Sequence, residues 1–198
     1  LGAGVTVAAV ATGTSHNCAL LADAGLKCWG SNYEGQLGLG DELDRGDGAG
    51  EMGDDLATVM PGAGDEVVAA AAGSEHTCVL QAGGSMKCWG SNLAGQLGLG
   101  DTKSRGDAPA ELGAALPEVD LGPDEPVVAI TAGMAHTCAL LHEGRVKCWG
   151  WNGYGQLGLG DALPRGDQPG EMGDQLQVVD LGVGQVAVAV SAGFNHTC

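Results

Sequence analysis

A histidine, two cysteines and a tryptophan recur in register along this chain: His16, Cys18, Cys28 and Trp29; His76, Cys78, Cys88 and Trp89; His136, Cys138, Cys148 and Trp149. A fourth copy opens with His196 and Cys198. Such side chains could ligate a metal, exchange thiols or staple the fold. Zinc is poorly supplied, because His16, Cys18 and Cys28 offer no fourth ligand in phase and no Cys-x-x-Cys element. Redox work needs a thiolate activated by neighbouring positive charge, and nothing nearby is read as supplying it. The staple is the preferred reading. A turn near Asp23 places Cys18 and Cys28 at matching positions on two strands, as it does Cys78 with Cys88 and Cys138 with Cys148. Opposed residues have Cβ atoms about 4.5–5.5 Å apart, close to disulfide reach, and each bridge is worth roughly 2–3 kcal/mol. Seven cysteines leave one over. Pairing within repeats leaves Cys198 unpaired or intermolecular; pairing between repeats (Cys28–Cys78, Cys88–Cys138, Cys148–Cys198) leaves Cys18 instead.

Acidic residues cluster after each Trp, the first cluster running from Asp41 to Asp65 and Glu66. Oxygen ligands of this kind invite Ca²⁺. Only Asp41 and Asp47, Asp101 and Asp107, Asp161 and Asp167, with Glu51, Glu111 and Glu171, keep phase, and no EF-hand or nonapeptide pattern is present. Calcium is therefore a weak candidate, and an Asp–Arg turn that orders the loop is the stronger one. Arg45-Gly46-Asp47, Arg105-Gly106-Asp107 and Arg165-Gly166-Asp167 spell an adhesion tripeptide, but they are also ordinary turn chemistry. "GQLGLGD", starting at Gly35, Gly95 and Gly155, lacks the order and the Gly-Lys-Ser/Thr of a phosphate loop. No Ser or Cys nucleophile with His and a carboxylate orienter can be assembled, so the chain is read as not an enzyme, without a cofactor other than that calcium candidate.

The elements that carry these residues repeat every 60 positions, from Cys18 through Cys78 and Cys138 to Cys198. A period of this size marks a propeller, solenoid or array. The repeats are 1–60, 61–120 and 121–180, with 181–198 a partial fourth in the phase of 1–18. Val127–Ala132 is a short β-branched run closed by Gly133, and His136–Leu141 with Arg145–Trp149 reads as a hairpin. "PEVDLG" at 117–122 and "QVVDLG" at 177–182 read as a fourth, edge-type strand. The expectation is an all-β fold of tandem four-stranded β-propeller blades, about 3.3 repeats, forming an open array or part of a larger ring or filament. The N-terminal "LGAGVTVAAVATG" matches the repeat strands and is read as one of them rather than a signal peptide, as in a mature protein or a piece of a longer one.

The pattern "AGxxHTCALL…VKCWGxNxxGQLGLGD" resembles the blade repeat of the regulator-of-chromosome-condensation family of β-propellers, over essentially the whole chain. The period is longer than usual there, with the excess in the acidic loop. The cysteine pairs depart from the eukaryotic pattern and look like a secreted bacterial variant. The resemblance implies that His16, His76 and His136 begin an inner strand and tie the blade by hydrogen bonding, and that Trp29, Trp89 and Trp149 pack it. It also implies a ring of about seven blades, more than this length supplies.

Thirty-seven glycines against four Trp, two Tyr and one Phe favour turns and short strands over aromatic-packed helices. A net charge of −17 disfavours nucleic acid and anionic membrane surfaces, and no apolar run is long enough to insert in a bilayer. Structural disulfides imply an oxidising compartment, extracellular or cell-surface. The expected function is a non-enzymatic structural or protein-binding repeat protein, joined to a protein partner or to itself in a filament or completed propeller. A secreted inhibitor or regulatory propeller is the alternative. Exchange-factor-like binding of a small GTPase is third, disfavoured by the cysteines and the charge.

Overall fold

A computed structural model describes residues 1–59, 61–62, 66–123 and 126–198. Among the described residues nine strands form three separate antiparallel sheets in chain order. The first holds β1 (Val7–Thr12), β2 (His16–Leu21) and β3 (Leu26–Gly30); the second β4 (Val67–Ala72), β5 (His76–Gln81) and β6 (Met86–Gly90). The third holds β7 (Val127–Ala132), β8 (His136–Leu141) and β9 (Val146–Gly150). Each first strand carries an irregularity after its opening Val, so Val68 and Val128 turn outward, 46% and 52% exposed.

The three-residue inner hairpins owe their tightness to residues that accept a left-handed backbone. Gly84 sits at φ 86° and Ala24 takes the same turn at φ 65°. The register that follows sets Cys18 opposite Cys28 and Asn17 opposite Trp29, and the other two hairpins repeat it.

The fourth, edge-type strand does not form among the described residues. Each sheet receives one rung instead: Val59 N–H donates to the Leu26 carbonyl at 2.7 Å, Val119 to Met86 at 2.9 Å and Val179 to Val146 at 2.8 Å. The reason lies at the next residue in the second and third sheets, where the Asp120 and Asp180 carboxylates accept the Gly122 and Gly182 N–H groups at 2.9 and 2.8 Å. That turn swings the chain away, and the Asp120 carbonyl then accepts Gly173 N–H of the following repeat at 3.0 Å. Within 181–198 the expected opening strand is reduced to an Ala192–Thr197 bridge, with only Asn195–Cys198 to pair against.

The core lies between sheets rather than within one. Leu26, Leu37 and Val59 of the first repeat pack with Val67, Val79 and Trp89 of the second. Leu80, Met86, Leu97 and Val119 pack in the same way with Ala139, Leu141 and Trp149. A third, smaller cluster sets Cys138, Leu140, Val146 and Leu157 against the half-buried Val179, Ala187 and Val190. Each repeat covers its predecessor, which is why no sheet would be stable alone.

Candidate protein-binding surfaces and the ties between repeats

The cysteines of each hairpin are bonded: Cys18–Cys28, Cys78–Cys88 and Cys138–Cys148, each with Cα atoms 4.1 Å apart. All six are buried, whereas Cys198 is free and exposed. Positive charge does adjoin each bridge, contrary to the sequence expectation, because Lys27, Lys87 and Lys147 precede the second cysteine. Strand alternation turns those ammonium groups away from the sulfurs. They are buried and donate to backbone carbonyls: Lys27 Nζ to Leu1 and Gly53 at 3.1 and 2.8 Å, and Lys147 Nζ to Leu121 and Gly173 at 2.7 and 3.1 Å. Lysine at a repeating strand position was the signal available for this tie in the sequence.

The histidines tie one repeat to the next. His16 Nε2 lies 2.8 Å from Thr77 Oγ1, His76 Nε2 3.0 Å from Thr137 Oγ1, and His136 Nε2 3.0 Å from Thr197 Oγ1. Each Thr hydroxyl donates its single proton to a main-chain carbonyl at 2.9 Å, Thr77 to Gln36, Thr137 to Gln96 and Thr197 to Gln156. The hydroxyl therefore accepts from the imidazole, which fixes the Nε2–H tautomer. Nδ1 has no partner at any of the three and lies against glycine, where a Cβ on Gly13 would sit 2.8 Å from the His16 ring. Burial pushes His16 and His136 down to about 4 and His76 to about 3, the last with help from the imidazoles on either side. The histidines are thus uncharged at neutral pH.

The same carbonyls hold the tryptophans. Trp89 Nε1 donates to Gln36 O and Trp149 Nε1 to Gln96 O, both at 3.0 Å, and both indoles are wholly buried. Their sockets need glycine: a Cβ at Gly38 would come within 2.6 Å of Trp89 Nε1, and one at Gly98 within 2.7 Å of Trp149 Nε1. Trp29 is half-buried.

The acidic loops are organised by internal contacts. Asp41, Asp101 and Asp161 each pair with the arginine four residues on, at 2.6, 2.7 and 2.6 Å, and accept from Asn32, Asn92 and Asn152. The Leu163 N–H and the Arg165 guanidinium hold the Asp161 carboxyl below its ordinary value. The second acidic position works differently. Glu51 caps the N–H groups of Gly46 and Gly48 on either side of Asp47, and Glu111 and Glu171 cap Gly106 and Gly166 beside Asp107 and Asp167. Asp107 beside Glu111 raises the glutamate. Among the described residues no three His, Cys, Asp or Glu side chains come together as a metal site. Asp65 lies outside the described residues. The second and third Arg-Gly-Asp tripeptides are inter-repeat contacts: a Cβ on Gly35 would come 2.4 Å from Asp107 N, one on Gly95 2.4 Å from Asp167 N, and Gly106 takes φ 101°.

Among the described residues, two of the exposed apolar surfaces are candidates for a protein partner. The loops that follow β3, β6 and β9 present Tyr33, Leu93, Trp151 and Tyr154, from 40% to 75% exposed, with Leu43 and Leu163 nearby in sequence. The open side of the third sheet bears a groove of about 270 Å³ lined by Val146, Leu157, Val179, Leu181, Val190 and Cys198. No helix among the described residues is long and apolar enough to cross a membrane.

Comparison with known proteins agrees with this architecture. The family described as regulator of chromosome condensation (RCC1) repeat matches residues 7–36, 67–96 and 127–156, and a second model of the same repeat matches 28–80 and 84–140. The chain is 33% identical to the ultraviolet-B receptor UVR8 of Arabidopsis thaliana over 159 residues, 80% of this chain and 32% of the receptor. It is 36% identical to the probable E3 ubiquitin-protein ligase HERC4 of Rattus norvegicus over 197 residues, 98% of this chain and 16% of the ligase. It therefore spans a third or less of these relatives. Among solved structures it resembles Prp20p of Saccharomyces cerevisiae, described with its binding properties to Gsp1p and histones, with a TM-score of 0.70. Identity there is 21%, over 96% of this chain and 42% of Prp20p, which speaks for the fold alone.

Proposed function

The chain belongs to the regulator of chromosome condensation (RCC1) repeat family, and on that premise we propose that it is a non-enzymatic, extracellular or cell-surface protein-binding repeat protein, built to join a larger assembly such as a completed propeller or filament. The observation that carries the reading is the location of the cores. Each full core is made by two successive repeats, while the third sheet keeps an apolar groove on its open side and Trp29 is only half-covered at the other end. Surfaces that repeat a buried internal interface are natural places for a further repeat. The hairpin disulfides support an oxidising compartment.

A second reading, a secreted inhibitor or regulatory propeller, is favoured by the exposed aromatic loops, since Tyr and Trp are enriched where proteins dock. Binding of a small GTPase ranks third, disfavoured by the hairpin cysteines and by the net charge of −17. Two measurements test the first reading. Thiol titration of the native chain should find one reactive cysteine, Cys198, and seven would remove the argument for an oxidising compartment. Light scattering across a concentration series should show mass rising above 19.6 kDa. A constant monomer mass would overturn self-assembly and leave the aromatic loops as the binding surface.

A further inference from the structure

The repeats keep the residues that tie them together and vary those their loops show to solvent. At the joint between the first and second repeats the variable positions are polar. The Tyr33 hydroxyl donates to the Glu75 carboxylate, Thr14 Oγ1 and Ser74 Oγ lie 2.8 Å apart, and Ser91 N–H donates to the Glu75 carbonyl at 2.8 Å. One repeat on, the side chains change. Leu93 takes the place of Tyr33, Met134 and Ala135 those of Ser74 and Glu75, and Trp151 that of Ser91. The backbone does not change, for Trp151 N–H donates to the Ala135 carbonyl at 2.7 Å. A polar clasp at the first joint is thus an open apolar patch at the second. Leu93 is 75% exposed, although full repeats flank its own on both sides, and Trp151 is 40% exposed. The two loops start against each other, since a Cβ on Gly150 would lie 3.2 Å from Gln96 Cα, three residues beyond Leu93. The indole also has a built seat. A Cβ at Gly153 would come 2.4 Å from the Trp151 ring, and the other two loops carry Tyr33 and Leu93 at that position.

Charge selects what this patch takes. Lys27, Lys87 and Lys147 are buried, and Arg45, Arg105 and Arg165 each pair with an aspartate. Six of the eight basic side chains are therefore held inside the fold, against 25 acidic ones. Glu75 borders the patch directly, because the N–H of its neighbour Ser74 donates to the Met134 carbonyl at 3.2 Å. We propose that Leu93, Met134, Ala135 and Trp151 dock a cationic protein segment, with a bulky apolar side chain on Leu93 and Trp151 and an adjacent Lys or Arg facing Glu75. An exposed indole beside aliphatic side chains supplies the burial that anchors a protein contact, and the carboxylate sets the sign of its partner. The proposal rests on the second reading above, that the exposed loops bind a protein, and names that protein's chemistry.

The test uses the 198-residue chain and a fluorescein-labelled peptide, Gly-Lys-Leu-Phe-Lys-Gly-amide, with affinity read by anisotropy. One control peptide replaces Leu-Phe by Ser-Ser, and the other replaces both Lys by Glu. The cationic apolar peptide should bind about 10-fold more tightly than either control. Added salt should weaken it. In a chain labelled with 5-fluorotryptophan it should move the ¹⁹F signal of Trp151 and leave those of the buried Trp89 and Trp149 in place. Trp151→Ser assigns that signal, and it installs the residue that Ser31 and Ser91 supply in the other loops, so the melting temperature should hold. Trp151→Ser and Leu93→Ser should each weaken the peptide by about 10-fold. Equal binding of the peptide and either control overturns the partner chemistry. A preference for the cationic apolar peptide that survives both substitutions overturns this patch and leaves the protein-binding reading standing. Failure of the unaltered chain to bind any of the three peptides overturns the patch and the loop-binding reading together.

Discussion

At the scale of single residues, the repeat is held by short polar relays that each serve two neighbours. Thr137 shows it best, with its hydroxyl receiving His76 Nε2–H and donating to the Gln96 carbonyl that also receives Trp149 Nε1–H. Three buried groups from three elements meet on that oxygen pair. Thr137→Val keeps the shape but strands the His76 N–H in a site that water does not reach. The expected loss is about 1–3 kcal/mol, the usual penalty for an unsatisfied buried donor. In urea the midpoint should fall with an unchanged m-value, and Thr137→Ser should recover most of it. An unaltered midpoint for the Val variant would mean the imidazole finds another acceptor.

Among the elements, the inner hairpin was fully legible in the sequence and the contacts between hairpins were not. Cys78 and Cys88 lie at equal distances from a glycine turn, so their opposition follows from strand geometry alone. The partner of His76 lies 61 residues away, and nothing in a strand pattern points that far. The recurring "HTC" did carry the signal, since Thr77, Thr137 and Thr197 follow the histidines in phase. The fourth strand was over-read because Val-Val-Asp has the right propensity, while the Asx turns at Asp120 and Asp180 end pairing after one rung. A consequence concerns the staple. Cys78→Ala with Cys88→Ala removes one short loop closure, worth roughly 2–3 kcal/mol. Both neighbouring cores include atoms of this sheet, so the damage should spread: hydrogen exchange should speed up in β7–β9 as well as in β4–β6. Exchange confined to β4–β6 would show that each sheet stands independently.

For the molecule as a whole, three neutral histidines in a row make the array acid-labile. Above pH 6.5 imidazole is neutral in both folded and unfolded chains, so the histidines add no pH dependence. Below it the unfolded chain takes up protons that the folded one refuses until about pH 4 at His16 and His136 and about pH 3 at His76. Stability is then lost as pH falls through that window, at up to about 1.4 kcal/mol per pH unit for each histidine. The sign is opposite to that from the surface carboxylates, whose protonation relieves the repulsion of a chain with net charge −17. That relief sets in nearer pH 4, the ordinary carboxylate range, so between pH 6.5 and 5 the imidazoles dominate. Melting temperature should therefore fall across that interval. His76→Gln supplies a donor to Thr137 without a titrating ring, so its curve should be flatter by one histidine's share even if it starts lower. The slope separates the two effects: an identical pH slope in the variant would mean that His76 takes up its proton as readily in the folded chain as in the unfolded one, and that its burial contributes nothing to the acid lability.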